Sequence, residues 1–526
     1  MKKFFRNLLS GYLLSIIILL AEVVFVLFLQ FDMDNLVMQI FGIDENSEGW
    51  QLIVALVYLL LRFIGFIVAL IIFFKIINKP EDPEFKIPWI VLMLLLPFFS
   101  SIMFIIFGNH GLRKKDRVII KATKNAYNAH FHLDDETKEK LGNAVGAFGY
   151  LNSTTSLGPH ANNKVTYYKT GEVFFPELIE DLKKAEEFIF MEFFIISDGL
   201  YWNEIKNILI DKATKGVEVR LIYDDMGCGG TIASSTARQL RKFGIKCYKF
   251  HPFRPVLSGV YNNRDHRKIV IIDHKMGFTG GMNLADEYGN VIKRFGYWKD
   301  TMVKIEGSGI NNLITTFLQN FDLSAGEVSD YNKYLMYDYP KYDDPGYVMP
   351  FGDGPGGIDD ALIGEQTYIN ILNYAKNEVF ISTPYLVPTY GLIDALRNAA
   401  LRGVKVHLIV PGIPDKKLVY KVAESNFSYL LEAGVKIYRY KPGFNHMKTI
   451  LADESLAMVG TINFDFRSLV HHFECGALLY NNDALSDVLD DFKEMLTKCE
   501  EVPTNFKLKG RARRLCSLIK IISPLL

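Results

Sequence analysis

"HRKIVIID", residues 266–273, returns as "HMKTILAD", residues 446–453. Both copies open on a His-x-Lys pair, run on through aliphatic residues and end on aspartate. The register continues beyond them, because Gly280 and Asn283 have the spacing of Gly460 and Asn463. One His-x-Lys would be a weak signal, but five positions in step within an internal repeat are a strong one. The repeat also extends upstream. "AEEFIFMEFFIISDG", "GVEVRLIYDD" and "LRKFGIKCYKFHP" precede the first motif, and "AKNEVFISTPYLVPT", "GVKVHLIVPG" and "LLEAGVKIYRYKPG" precede the second in the same order. Each half alternates short runs of Val, Ile, Phe and Tyr with amphipathic stretches such as "YGLIDALRNAALRG". That alternation argues an α/β fold of two lobes, each a largely buried sheet flanked by helices. The lobes are assigned to 111–335 and 336–526, related by a pseudo-two-fold, and the Pro-, Gly- and Asp-rich "DYPKYDDPGYVMPFGDGPGG" (338–357) is read as their connection.

Residues i and i+2 of a strand point to one face about 7 Å apart. His266 and Lys268 therefore project together, as do His446 and Lys448, and a pseudo-two-fold brings both pairs to one cleft. Two imidazoles and two ammonium groups suit a phosphodiester. One imidazole attacks phosphorus, the other protonates the leaving oxygen, and the lysines, with Asn283 and Asn463 as amide donors, stabilise the non-bridging oxygens. Such a site needs no metal and no cofactor. Asp273 and Asp453 complete the motif and stand among the candidate catalytic residues, but seven positions from their histidines they face the other side of a regular strand, which favours a structural part. The imidazoles need carboxylate acceptors, and Asp300 in "GYWKDTMVKIEG" and Glu474 in "FRSLVHHFECGALLY" occupy matched places in the two halves.

The first 110 residues differ in kind. Apolar runs at about 8–31, 52–77 and 88–107 are each long enough for a bilayer, which takes about 20 residues. Lys2, Lys3 and Arg6 precede the first run, but no small-residue cleavage site follows it, so it is read as a retained helix and not as a signal peptide. Basic clusters lie before the first run, between the second and third and after the third, whereas 32–50 carries only acids. All three basic clusters favour the cytoplasm. Two spans with a re-entrant third segment broken near Pro97 and "FFSS" satisfy them; three spans are the alternative. In the two-span arrangement the catalytic part is expected in the cytoplasm behind a multi-pass helical membrane anchor. Glu22 and Arg62 fall inside the first two runs, either paired with each other or with Arg62 snorkelling to headgroups. The C-terminal "FKLKGRARRLCSLIKIISPLL" is basic and amphipathic, suited either to an anionic membrane surface or to packing on its own lobe.

The net charge of zero gives no reason to expect nucleic acid. Five cysteines without a Cys-x-x-Cys suggest neither a disulfide framework nor a zinc site.

With these residues laid out, the chain resembles the phospholipase D superfamily through its two His-x-Lys-x4-Asp motifs and, within it, the bacterial cardiolipin synthases. "FIIFGNHG", "NRDHRKIVIID", "TGGMNLADEY", "STPYLVP", "VGTINFDFRS" and the terminal "SPLL" carry the likeness. The resemblance implies transfer of a phosphatidyl group from one phosphatidylglycerol to a histidine and then to a second phosphatidylglycerol, giving cardiolipin and glycerol in a bacterial cell membrane. It implies His266 as nucleophile and His446 as acid and then base, with Glu474 orienting His266 and Asp300 orienting His446. Hydrolysis, or transfer to another alcohol, is the alternative use of the same motifs. Two positions depart from the family pattern. Asp265 and His472 stand where asparagine is common, before the first motif's histidine and ahead of the second half's glutamate.

Overall fold

A computed structural model describes residues 48–526 except 80, 82, 109–110, 128–130, 132, 253–261, 356–360 and 523–526. The chain divides into two compact units, the first comprising 1–110 with 254–260 and 520–526, the second 111–253 with 261–519.

In the first unit the described helices are Glu48–Asn78, Pro83–Leu95 and Pro97–Phe107. Proline cannot donate to the preceding turn, and the third apolar run is interrupted at Leu96, with Pro97 opening a new helix. The serines of "FFSS" satisfy carbonyls at that break: Ser100 Oγ donates to Leu96 O and Ser101 Oγ to Pro97 O, each at 2.6 Å. Ile72, Ile76, Trp89, Met93, Phe99 and Met103 form the unit's core. Phe63, Phe66, Ile71 and Phe74 point outward. Among the described residues no helix is long and apolar enough to cross a membrane. The side chains of 48, 50–55, 57–59, 61–62 and 98 lie outside that set, as does all of the run at 8–31, so the Glu22–Arg62 pair falls there too.

The second unit is built on two sheets. In spatial order the first is Lys164–Tyr168, Met302–Glu306, Met276–Gly280, Lys268–Ile272, Phe188–Phe193, Glu218–Asp224 and Lys246–Phe250. The second holds Tyr347–Asp353, Glu474–Tyr480, Leu456–Gly460, Thr449–Ala452, Glu378–Ser382, Lys405–Pro411 and Lys436–Tyr440 in the corresponding places, extended by His160–Ala161 at one edge and Cys499–Glu501 at the other. In both, the strand that follows the histidine motif runs antiparallel to its two neighbours, and the next three strands are mutually parallel. The motif strands are buried on both faces, which is why they read as unbroken aliphatic runs.

The segment read as a connection corrects that reading, since "YVMPFGD" is the strand Tyr347–Asp353. Its proline is tolerated because the neighbour on its outer side, His160–Ala161, pairs only with Tyr347 and Val348 and leaves Pro350 no ladder partner there. The basic C-terminal stretch forms the helix Gly510–Ile522; Cys516 is buried on it, with Sγ 3.3 Å from Lys421 O, while Arg511, Arg513 and Arg514 are exposed.

Candidate functional site

Each histidine sits just ahead of its strand, held by the other lobe. The His266 amide donates to Phe473 O at 2.8 Å and the His446 amide to Lys299 O at 2.7 Å. Phe473 and Lys299 immediately precede Glu474 and Asp300, so the backbone bonds deliver each acid to the opposite lobe's imidazole. His266 Nδ1 lies 2.9 and 2.8 Å from the Glu474 oxygens, and His446 Nδ1 lies 2.6 Å from Asp300 Oδ2. A carboxylate only accepts, so Nδ1 carries the proton in both rings and Nε2 keeps its lone pair. Lys268 Nζ donates to His266 O at 2.5 Å, and Lys448 Nζ makes the same bond to His446 O. Each ammonium is thus folded back toward its own histidine with two protons to spare. All six side chains are buried.

Asp273 and Asp453 do not join them, which corrects their inclusion among the catalytic candidates. They end the motif strands in left-handed turns, φ 51° and 47°. Asp273 accepts the amides of Glu187 and Phe188 at 2.8 and 2.9 Å, and Asp453 those of Lys376, Asn377 and Glu378 at 2.7 to 2.9 Å. Four to five residues of strand put such a carboxylate about 13 to 17 Å from the histidine end. Their work is to fasten the motif strand to the start of its neighbour.

The asparagines differ from one another. Asn283 is spoken for: Oδ1 accepts the Ile195 amide at 2.9 Å, and Nδ2 donates to the Tyr288 hydroxyl at 2.6 Å. Asn463 Oδ1 is buried without a hydrogen-bond partner.

Unequal surroundings distinguish the two acids. Glu474 also receives hydroxyl protons from Thr461 and Ser468, and His472 Nδ1 stands 3.4 Å from it. Burial alone would push its pKa up, but His266 and the neighbouring His472 hold it far below the usual carboxylate range. In the first lobe glycine replaces threonine, since Gly281 has the register of Thr461. Asp300 receives one amide bond, from Thr301 at 2.8 Å, and burial pushes it up to about 6 despite the nearby lysines. Burial also holds both imidazoles well below their ordinary pKa, with Lys268 lowering His266 further and Lys448 and Lys268 lowering His446. The same desolvation brings Lys268 down to about 8 and Lys448 to about 7.

Gly281 is needed for its lack of a side chain. A Cβ there would fall 2.0 Å from Asp300 Oδ1. Gly281→Ala is expected to displace Asp300 and, through it, His446, lowering kcat about 100-fold with little change in the far-UV circular dichroism spectrum, since a misplacement near 1 Å costs that much. Retention of wild-type kcat would refute the account.

Neither the Thr461 and Ser468 hydroxyls nor Tyr288 figured in the sequence reading. The one available signal was the Gly/Thr difference between "TGGMN" and "VGTIN". The two departures also have places. Asp265 is fully buried, accepts the Arg267 amide at 3.2 Å, lies against the buried Glu192 and is pushed up to about 6 by burial. The corresponding pair in the second lobe is neutral, Asn445 donating to Ser382 Oγ at 2.8 Å. The His472 ring lies 5.4 Å from that of His266 and 6.4 Å from that of Phe194. His266, His472 and Glu474 have donor atoms within 4.8 Å of one another. They fit imidazole and carboxylate metal chemistry, but a cation there would take Glu474 away from His266.

Residues 178–319 and 368–496 match the family described as "Cardiolipin synthase, PLD-like domain", and residues 66–109 match "Phospholipase_D-nuclease N-terminal". A cardiolipin synthase 2 of Bacillus anthracis is 32% identical over 469 residues, 88% of this chain and 90% of that protein. A cardiolipin synthase of Clostridium perfringens is 35% identical over 464 residues, 85% and 95%. An uncharacterised protein of Streptococcus mutans is 41% identical over 457 residues, 86% and 98%. Among solved structures, the phosphatidylserine synthase of Haemophilus influenzae shares the fold, with TM-score 0.56 at 15% identity over 73% of this chain and all of that one.

Proposed function

The chain belongs to the cardiolipin synthase family of phospholipase D-like proteins, and from that premise we propose that it is a phosphatidyltransferase joining two phosphatidylglycerols into cardiolipin and glycerol. His266 is the nucleophile. Its Nε2 attacks phosphorus while Nδ1–H leans on Glu474, and the phosphorus–oxygen bond to glycerol breaks as His446 protonates the departing oxygen. The arriving phosphodiester anion offsets the nearby ammonium groups and lets His446 carry that proton. Lys268 and Lys448 take the non-bridging oxygens. A second phosphatidylglycerol then presents its free hydroxyl, His446 removes the proton, the new phosphorus–oxygen bond forms and the phosphorus–nitrogen bond to His266 breaks.

The observation that carries the assignment of His266 is the inequality of the two acids. A nucleophilic imidazole is helped by a carboxylate that stays charged through the cycle, and Glu474 has three hydrogen-bond donors, with His472 nearby, while Asp300 has two. A group that alternately gives and takes a proton is better served by the weaker partner. In our reading segment 1–110 anchors the enzyme in the cell membrane through spans at about 8–31 and 52–77, with the broken 88–107 segment re-entrant and the lobes 111–335 and 336–526 cytoplasmic. The outward phenylalanines of helix Glu48–Asn78 suit a lipid surround.

Purified protein given labelled phosphatidylglycerol without divalent metal is the test. Cardiolipin and glycerol are the expected products; phosphatidic acid alone would make the enzyme a hydrolase. The same assay yields a pH profile with a predictable shape. Asp300, pushed up to about 6, gains a proton as pH falls and ceases to accept from His446. Lys448 and Lys268, brought down to about 7 and about 8, lose their charges as pH rises. The kcat/KM value, which reports the free enzyme, is therefore expected to peak near pH 6 to 7 and decline on both sides. A plateau reaching pH 9 would refute the lysine assignment.

A further inference from the structure

Two loops flank His446 on the outside of the molecule. The first, between Asn290 and Trp298, is closed at its base by the Asn290 side chain, whose Oδ1 accepts the Trp298 amide at 2.7 Å and whose Nδ2 donates to Trp298 O at 3.0 Å. The Trp298 ring is 5.6 Å from that of His446. At the tip Val291 and Ile292 are 50% and 53% exposed, followed by exposed Lys293 and Arg294. The second follows the strand Lys405–Pro411 and runs into the first turn of the helix Lys417–Leu431. There Ile413 and Leu418 are 42% and 54% exposed, with Lys416 and Lys417 exposed between them.

The two loops adjoin. Gly296 bridges Gly443, the Ile413 amide donates to Gly443 O at 3.3 Å, and a Cβ on Gly296 would lie 3.3 Å from Ile413 Cδ1. Of the acids among them, Asp415 accepts the Tyr385 hydroxyl at 2.7 Å and Glu287 reaches Arg294 at 3.6 Å. A single exposed isoleucine needs no explanation. Four aliphatic side chains interleaved with four cations, on two touching loops beside one catalytic histidine, do need one.

We propose that these loops are the bilayer-docking rim of the active site, their aliphatic tips entering the headgroup boundary of an anionic membrane and their cations meeting its phosphates. The proposal rests on the lipid-substrate reading above. A diacyl substrate leaves the bilayer only at a cost set by its chains, so the site mouth must meet the membrane. A mixed rim of aliphatic and basic side chains is complementary to an anionic interface, where both contribute.

The full-length protein reconstituted in vesicles of phosphatidylglycerol and phosphatidylcholine tests this. Four native cysteines are buried, so a Cys499→Ser background leaves none exposed. An environment-sensitive fluorophore is placed by Ile292→Cys, Leu418→Cys or Leu401→Cys. Leu401 is exposed but lies before the strand Lys405–Pro411, about 20 Å from the rim. Nitroxide-labelled acyl chains are expected to quench the labels at 292 and 418 at least about twofold more than the one at 401, with less quenching when phosphatidylglycerol is left out. Equal quenching at all three positions, none at 292 and 418, or no dependence on phosphatidylglycerol would overturn the proposal. Phosphatidyl transfer is measured in the same vesicles on the Cys499→Ser parent. Its absence would count against the lipid-substrate reading and leave the quenching result interpretable by itself.

Discussion

His446→Asn protein incubated with phosphatidylglycerol is expected to accumulate a phosphatidyl group on His266, whereas His266→Asn protein forms no adduct. Loss of His446 removes the group that activates the second alcohol, so the first half-reaction slows while the second all but stops. Loss of His266 removes the atom to which phosphorus is joined. Turnover in either variant is expected to fall by at least about 10⁴-fold, because residues that act as a unit fail together. Intact-mass measurement under neutral or alkaline conditions, which spare a phosphorus–nitrogen bond, reads the difference directly. An adduct on the His266→Asn protein would move the nucleophile to His446.

Glu474→Gln is the second large effect. The carboxylate is fully buried and acceptor-only, and three side chains donate to it, His266, Thr461 and Ser468, with His472 Nδ1 3.4 Å away. Glutamine offers one acceptor and one donor in that space. A donor meets a donor, the neutral His266 ring is driven toward the other tautomer, and Nε2 loses its lone pair to a proton. A triad aspartate exchanged for its amide costs about 10⁴-fold for the same reason, and a comparable loss in kcat is expected here. Asp300→Asn is expected to cost less, about 100-fold, and to abolish the acid limb of the pH profile, because Asp300 is already a weaker acid, pushed up to about 6. Equal losses in both variants with an unchanged acid limb would remove the distinction between the two histidines.

Much of this was written in the sequence. The register of the motifs, the order of strands and helices and the two acids could be found because a duplicated α/β lobe repeats its hydrophobic period and its polar exceptions together. Other parts could not be read. Pro350 and Gly352 disguised the strand Tyr347–Asp353, since local turn chemistry outweighs pattern when one side of a strand lacks a partner. The hydroxyls of Thr461 and Ser468 are ordinary residues until a tertiary contact points them at Glu474. The crossing of acids and histidines came only from family resemblance, because spacing within one lobe says nothing about which lobe supplies an acceptor. Asp265 looked like an isolated substitution, but it lies against Glu192, a second buried acid far away in sequence.

The backbone bonds from His266 to Phe473 and from His446 to Lys299 have a consequence for the birth of the enzyme. Synthesis runs from the amino terminus, and a nascent chain carrying the entire first lobe still lacks the carboxylate that His266 requires, 208 residues further on. A chain ending between the lobes would therefore carry its first histidine without the acceptor that fixes its tautomer. A first lobe made alone would lack Glu474 and the Phe473 carbonyl, and a second lobe made alone would lack Asp300 and the Lys299 carbonyl, so neither half would hold a working imidazole without the other.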